Sequence, residues 1–350
     1  MQKNRTLNVA LVGCGGIAKI YRHRYTQIEG VQLKQLVDMD EETLKQVAEE
    51  LKVERWSTDF KAALADDIDV VDISTPNHLH AEQAIAAMNA GKHVILQKPI
   101  APSVKEAEAI IETARRTGRR AGMYMSMFDG PVFHDIKRMV DTGLLGAIST
   151  VHCRDSHKGG LNMKEGNWRN SLETTGGGAF IQLAIHPVNM AQYLIGSKVE
   201  RVMAFSKNMM CPNVGGDDVT TAVCEFGNGV LGTVEAAYCA EQLMLTIYGT
   251  RGFVRVINLS DVYLKLDEPF EGETIKYEKP GEVFNRNYGY NNHTLGGSSN
   301  PYDQHVAFIK AILEDKPVPV PVETGLYDLK IVQAVYKSAK EKRCVEISEM

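Results

Sequence analysis

No two of the six cysteines stand in a C-x-x-C spacing; Cys14, Cys153, Cys211, Cys224, Cys239 and Cys344 are scattered over 350 residues. A disulfide framework and a zinc-ribbon type of site are thereby excluded, and a reducing compartment is expected. Apolar runs approaching 18 residues are also missing, and the short N-terminal run in "LNVALVG" reads as a strand. The expected setting is cytoplasmic, neither secreted nor membrane-spanning. Positive charge is in short supply: 39 Lys and Arg against 44 Asp and Glu leave a net charge of -5, which argues against a nucleic-acid partner. The one basic cluster, Arg115, Arg116, Arg119 and Arg120, falls at a predicted helix end beside Gly118, where cations complement the helix dipole. Internal repeats and low-complexity tracts are lacking. What remains, 44% hydrophobic and 24% charged residues, is the composition of an ordinary globular chain long enough for two cores.

The first third alternates short apolar strands with amphipathic helices: "LNVALVG", a helix from about Ile17, "VQLKQLVD" then "EETLKQVAEEL", residues 68–75 then "HLHAEQAIAAMNAG", and "HVILQ" then "VKEAEAIIETARRTG". Such alternation specifies a parallel sheet with right-handed crossovers, a doubly wound Rossmann arrangement. From about residue 147 the strands become longer and richer in Val, Thr and Tyr, as in "VTTAVCEF" and "VLGTVEAAY", with a hairpin signal at Gly227-Asn228-Gly229. A mostly antiparallel sheet is expected there. Residues 281–301 read as a long loop, a candidate lid. An apolar stripe of Leu329, Val332, Val335, Tyr336 and Ala339 predicts a C-terminal helix at about 326–342. The expected division is a dinucleotide-binding domain over 1–124 and a substrate and oligomerisation domain over 125–350, with that last helix packing back on the first domain.

Between the first strand and first helix, Gly13-Cys14-Gly15-Gly16-Ile17-Ala18 forms a G-x-G-x-x-A pattern. Gly13 permits a tight turn, Gly15 lets backbone approach a pyrophosphate, and Ala18 allows close helix–strand packing. Asp38 ends the second strand 22 residues after Gly16, where its carboxylate would accept hydrogen bonds from a ribose and repel a 2′-phosphate. NAD is therefore expected over NADP. The strand ending in "ISTPNHLH" places Thr75, Pro76, Asn77 and His80 at the same sheet edge, near the nicotinamide half; alternatively Asn77 caps the next helix. The aliphatic run of "HVILQKPI" predicts a strand buried on both faces that delivers Lys98 to the edge where such sheets bind ligands.

"GCGGIA", "TPNHLH", "GKHVILQKP", "NWR" before "GGGAFIQLAIH", and "NPYDQHVAFIKAI" together resemble the Gfo/Idh/MocA oxidoreductases over nearly the whole chain. The resemblance implies a Rossmann domain followed by an α/β domain with a large open sheet. It also implies NAD(P)-dependent oxidation or reduction of sugars, inositols or related polyols, in homodimers or homotetramers. Lys98 inherits the place of a lysine beside the nicotinamide and the reacting hydroxyl, where an ammonium group stabilises a developing alkoxide. Trp168 and Arg169 match a pair near the nicotinamide ribose or phosphates.

Two departures stand out. Gln97 replaces a glutamate beside Lys98 and so removes a charge that would hold and tune it. Gln182 replaces an aspartate four residues before His186; on a helix the two share a face. An amide exchanges no proton, so Gln182 orients substrate and His186 is left as the base. Pro187 either kinks this helix or starts it with His186 just outside. Tyr124, His157, Gln182 and Asn189 are expected to line a polar cleft suited to a sugar, glycoside or polyol. His152, His157, His186 and His293 lack an accompanying acid or cysteine pattern, so no metal is expected. The expected activity is hydride transfer between NAD and a secondary hydroxyl, with Lys98 and His186 assisting. Its rivals are an enzyme that retains NAD and uses transient oxidation for bond cleavage or sugar-to-sugar transfer, and an inactive binding or regulatory protein.

Overall fold

The structure, a computed structural model, describes residues 6–287 and 303–350. His293 and most of the expected lid lie outside them. In the first 125 residues the strands are β1 (Leu7–Val12), β2 (Val31–Val37), β3 (Arg55–Ser57), β4 (Val70–Ile73), β5 (His93–Gln97) and β6 (Ala121–Tyr124), with helices α1 (Glu41–Leu51), α2 (His80–Asn89) and α3 (Val104–Thr117). Next come α4 (Pro131–Asp141), β7 (Ile148–Ser156), the short α5 (Leu172–Thr175), α6 (Ile185–Ile195), β8 (Val199–Lys207), β9 (Val219–Phe226), β10 (Leu231–Ala237), β11 (Gln242–Gly249), β12 (Gly252–Ile257) and β13 (Asp261–Leu266). Two small strands β14 (Phe270–Glu271) and β15 (Lys276–Tyr277), then β16 (Phe284–Asn287), α7 (Gln304–Leu313), α8 (Val322–Glu341) and β17 (Val345–Glu346) complete it. Among the described residues, 6–125 with 303–326 form one compact unit and 126–287 with 327–350 a second.

The first unit is built on a six-stranded parallel sheet of order β3-β2-β1-β4-β5-β6. Every residue of β4 is buried, as are Val94, Ile95 and Leu96 of β5, because helices cover both faces of such a sheet. The α helices start where the side chains dictate: Asp40 caps α1 by accepting from the Glu42 N–H at 3.1 Å, and Ser103 caps α3. The expected helix from Ile17 is instead two 3₁₀ segments, Gly16–Ile20 and Arg22–Thr26. Buried anchors hold them: the hydroxyls of Tyr21 and Tyr25 donate to the Asp72 carboxylate at 3.1 and 2.6 Å.

Helix α7 joins this unit for the same kind of reason. Asp303 caps it, accepting from the His305 and Val306 N–H groups, and lies 3.5 Å from the Arg24 guanidinium. Gln304 pairs with the main chain of Met125, accepting from its N–H at 3.0 Å. His305 stacks on Tyr21 with ring centres 4.4 Å apart.

The second unit carries a nine-stranded sheet of order β16-β13-β12-β11-β7-β10-β9-β8-β17, antiparallel except for the β7–β10 pair. The hairpin expected at Gly227–Gly229 joins β9 to β10, with the Gly229 N–H donating to the Phe226 carbonyl at 2.8 Å. Part of the expected 281–301 loop is strand: β16 pairs with β13 at the sheet edge. One face of the sheet is covered by α6, whose Pro187 carbonyl accepts from the Cys153 thiol of β7.

Candidate functional site

In the parallel sheet, β1 and β4 are neighbours whose crossovers run in opposite directions, and ligands of open α/β sheets bind beyond the carboxyl ends at such a switch point. The loop after β1 is constrained here. Gly13 has φ +86° and a Cβ on it would sit 2.6 Å from the Ser74 carbonyl oxygen, so only glycine fits. Gly15 and Gly16 face open space, with nothing within 4 Å of where a Cβ would be, and Gly16 is exposed. The Asp38 carboxylate is held by the loop itself: Oδ2 accepts from the Cys14 N–H at 2.7 Å and Oδ1 from the Asp40 N–H at 3.0 Å. An open glycine backbone joined to a half-buried acid at the end of β2 fits the pyrophosphate and ribose of a dinucleotide.

Asp38→Ser should therefore weaken NAD binding and narrow its advantage over NADP, since charge repulsion of a 2′-phosphate is lost. Parallel titrations of both cofactors check this, and an unchanged preference would remove Asp38 from the role.

Beyond β4 and β5 two loops are tied together by His80. Its ring is completely buried, with Nδ1 2.8 Å from the Pro99 carbonyl oxygen and Nε2 2.8 Å from that of Thr75. Burial lowers the imidazole's pKa against the opposing pull of these two carbonyls. Both nitrogens point inward at carbonyl oxygens, and the one that carries the proton in the neutral ring donates to its carbonyl, so His80 packs between the loops and does not reach out to a ligand. Thr75 spends its hydroxyl on Gln83 at 2.7 Å. Asn77 opens a short 3₁₀ turn and is buried; the cap positions Pro76 and Leu79 make no side-chain cap hydrogen bond. Gln97 is buried and turns Oε1 to the N–H of Lys98 at 3.1 Å. Lys98 itself is half-buried, preceding a cis peptide bond to Pro99.

Tyr124 is a correction. Expected in a polar cleft, it is 3% exposed, packed against His305 at 4.6 Å and Tyr21 at 5.0 Å. Arg24 donates to its hydroxyl at 3.3 Å. The ring faces α7, not the end of the strand.

In the second unit the "GGG" before the histidine helix is a close-approach device. A Cβ on Gly178 would collide with the Asp217 carbonyl oxygen, while the Asp217 side chain accepts from the N–H groups of Gly178 at 2.9 Å and Phe180 at 3.0 Å. Neither expectation for Pro187 describes the outcome. His186 lies inside α6, and the irregularity is a π-helical turn over Phe180–Ala184 that contains Gln182. Such turns widen a helix locally and recur at functional sites. From Gly177 to Gln192, His186 is the one residue that is not buried; Gln182 is 6% exposed.

Asn189 is a second correction. It is buried and donates Nδ2 to Asp328 at 2.6 Å, so it belongs to the interior and not to a cleft. His157 is exposed, accepts from the Gly159 N–H at Nδ1 at 2.9 Å, and lies 5.0 Å from the Tyr238 ring. The Arg169 guanidinium stacks over Trp168 at 4.2 Å. It also reaches the Tyr238 hydroxyl, opposing the burial that pushes this phenol's pKa up. Tyr238 thus joins His157 to Arg169, and sequence reasoning missed it; the signal was an aromatic residue just past the end of β10. His152 is spent on the sheet, 2.7 Å from the Thr233 hydroxyl. Among the described residues no group of three or more His, Cys, Asp or Glu is placed to hold a metal, and no helix is long and apolar enough to cross a membrane.

A glycine loop at the switch point, closed by the acid that follows β2, is the arrangement of a dinucleotide-binding Rossmann domain. Residues 7–125 match the oxidoreductase family's NAD-binding Rossmann fold and residues 137–347 its C-terminal alpha/beta domain, and the chain belongs to that Gfo/Idh/MocA family. Its cofactor is NAD and it is an enzyme. Similar proteins include a myo-inositol 2-dehydrogenase of Thermotoga maritima, 25% identical with 98% of this chain and 99% of that one covered. A levoglucosan dehydrogenase of Pseudarthrobacter phenanthrenivorans is 25% identical, with 99% of each covered. Among solved structures, an aldose-aldose oxidoreductase from Caulobacter crescentus, complexed with glycerol, superposes with a TM-score of 0.82 at 25% identity, covering 98% of this chain and 100% of that one.

Proposed function

We propose that the chain transfers a hydride between NAD and a secondary hydroxyl or ketone of a sugar, glycoside or polyol. The observation that carries this is the open glycine loop with its braced acid in a chain whose relatives are named as dehydrogenases of an inositol and of levoglucosan. When bound, NAD supplies the hydride acceptor at the nicotinamide ring. The protein supplies the rest. The backbone of Gly13, Gly15, Gly16 and Ile17 cradles the phosphates and Asp38 takes the ribose hydroxyls. Thr75, Pro76, Asn77, Gln97, Trp168 and Arg169 complete the cofactor's surroundings, with His80 fixing two of those loops from behind. His186 takes the hydroxyl proton as carbon–hydrogen bond cleavage proceeds, Lys98 stabilises the oxyanion, and Gln182 and His157 orient the sugar by hydrogen bonds.

Incubation with NAD⁺ and a panel of sugars, glycosides and polyols, followed by the absorbance of reduced nicotinamide, tests this. Turnover of at least one polyhydroxylated substrate is expected; none across the panel, with NAD binding intact, would overturn it. The likeness to an aldose-aldose oxidoreductase favours one rival, retained NAD with sugar-to-sugar transfer. That rival predicts cofactor surviving gel filtration and no free NADH.

In this reading the chain works as a homodimer or homotetramer. Met203, Phe205 and Val223, 48, 73 and 51% exposed, share the outward face of β8 and β9, with Met203 directly opposite Val223. A second copy covers this strip in our reading. Light scattering should give a multiple of the chain mass, reduced by Phe205→Glu; a monomeric mass for the unmodified protein would contradict it.

A further inference from the structure

Helix α8 carries an acid with no solvent contact. Asp328 is 0% exposed, and two amides of α6 converge on it: Asn189 donates to Oδ2 at 2.6 Å and Gln192 to Oδ1 at 2.8 Å. Asn189 and Gln192 lie three apart, hence on one helix face, and His186 lies three residues before Asn189 on the same turn-to-turn line. Gln192 also accepts from the Val199 N–H, and the Tyr327 hydroxyl donates to the Val199 carbonyl at 2.8 Å, so the start of β8 is tied to both helices. Among the described residues no ion pair to the carboxylate is formed. The charged and titratable groups that act on it are Lys198, which sits over the Tyr327 ring, and Tyr327 itself, which also feels Glu200 on β8. One further atom is unusual: Asn189 Oδ1 is buried with no hydrogen-bond partner among the described residues.

We propose that Asp328 is a positioning residue whose buried carboxyl group, by gripping Asn189 and Gln192, sets how α6 presents His186, and whose proton changes that grip. The proposal rests on the reading of His186 as the proton acceptor. Two states follow from donor and acceptor chemistry. Ionised, the carboxylate accepts from both amides. Protonated, it carries one donor that needs an acceptor, and the Asn189 amide oxygen has that capacity; using it turns the amide over. Burial pushes the Asp328 carboxyl up to about 7, against the milder lowering by Lys198 and the two amides, so both states fall within an ordinary pH range. An acid whose folded pKa is raised stabilises the fold below its unfolded value, about 3.9, and that contribution is lost as pH rises to the folded value.

Two measurements on the full chain test this. In thermal melts across pH 4 to 9, Asp328→Asn, neutral throughout, should gain on wild type as pH climbs from about 4 to about 7 and hold a constant difference above. A difference flat with pH would mean that Asp328 exchanges no proton and would overturn the proposal. In imidazole NMR, with the His186 signal identified by its loss in His186→Asn, the wild-type signal should respond to a second ionisation absent from Asp328→Asn. Identical His186 titrations in the two proteins would make Asp328 structural only, and would overturn the positioning role. Failure of every sugar to turn over would instead strike the proposed reaction, leaving both results readable.

Discussion

Lys98→Ala should lower kcat/KM by at least about a hundredfold, the scale of losing one transition-state donor, while the melting temperature barely moves. The division between chemistry and folding follows from how the chain is held at this point. Pro99 is fixed through its carbonyl oxygen by His80, and the Lys98 N–H is fixed by Gln97 Oε1. Both are main-chain bonds that alanine keeps. The strand behind, Val94 to Leu96, is buried through residues the substitution does not touch. What alanine removes is the half-buried lysine side chain with its ammonium. Steady-state kinetics on whichever sugar the panel identifies, alongside thermal melts, separates the two effects. Activity within a few-fold of wild type would take Lys98 out of the reaction, and a large fall in melting temperature would assign it to the fold.

That a lysine follows β5 was legible because both-face burial leaves a continuous aliphatic run, and the run's end marks the sheet edge. The glycine loop was legible for a similar local reason: a positive φ and a close approach admit one residue type, and the acid that completes it ends the next strand. The missed or misplaced residues all depend on partners distant in sequence. Tyr124 looks like a polar strand-end residue until α7 brings His305 against it. Asn189 looks like a cleft amide until Asp328, 139 residues later, claims it. Tyr238 gains meaning only when Arg169 and His157 reach it from other loops. The 3₁₀ segments after Gly16 likewise answer to Asp72, not to their own sequence periodicity.

The π-helical turn before α6 bears most directly on the second large effect expected. Gln182 sits within that turn and His186 one residue inside the following helix, so the pair still lies on adjoining turns of one continuous helical path. If His186 is the only proton-transferring group acting on the hydroxyl, the oxidation rate should rise with pH through the histidine's ionisation, because only a neutral imidazole accepts that proton, and the Asp328 ionisation proposed above should add a second inflection that Asp328→Asn removes. His186→Asn keeps the side chain's approximate size and a hydrogen-bonding end but not its basicity. It should abolish the pH step and most turnover while leaving NAD affinity unchanged. The substitution should also fold, since His186 is the one residue from Gly177 to Gln192 that is not buried. Gln182→Ala should mainly raise KM, as expected for an orienting amide. Gln182→Asp should act differently: a carboxylate one turn away favours imidazolium, so the step should move to higher pH. Rates from pH 5 to 10 for the three variants, with NAD binding measured separately, distinguish these roles. A full-rate His186→Asn enzyme would place the base elsewhere, with Lys98 the first candidate. Dead Gln182→Ala protein that still binds NAD would show that the amide holds the reacting hydroxyl itself.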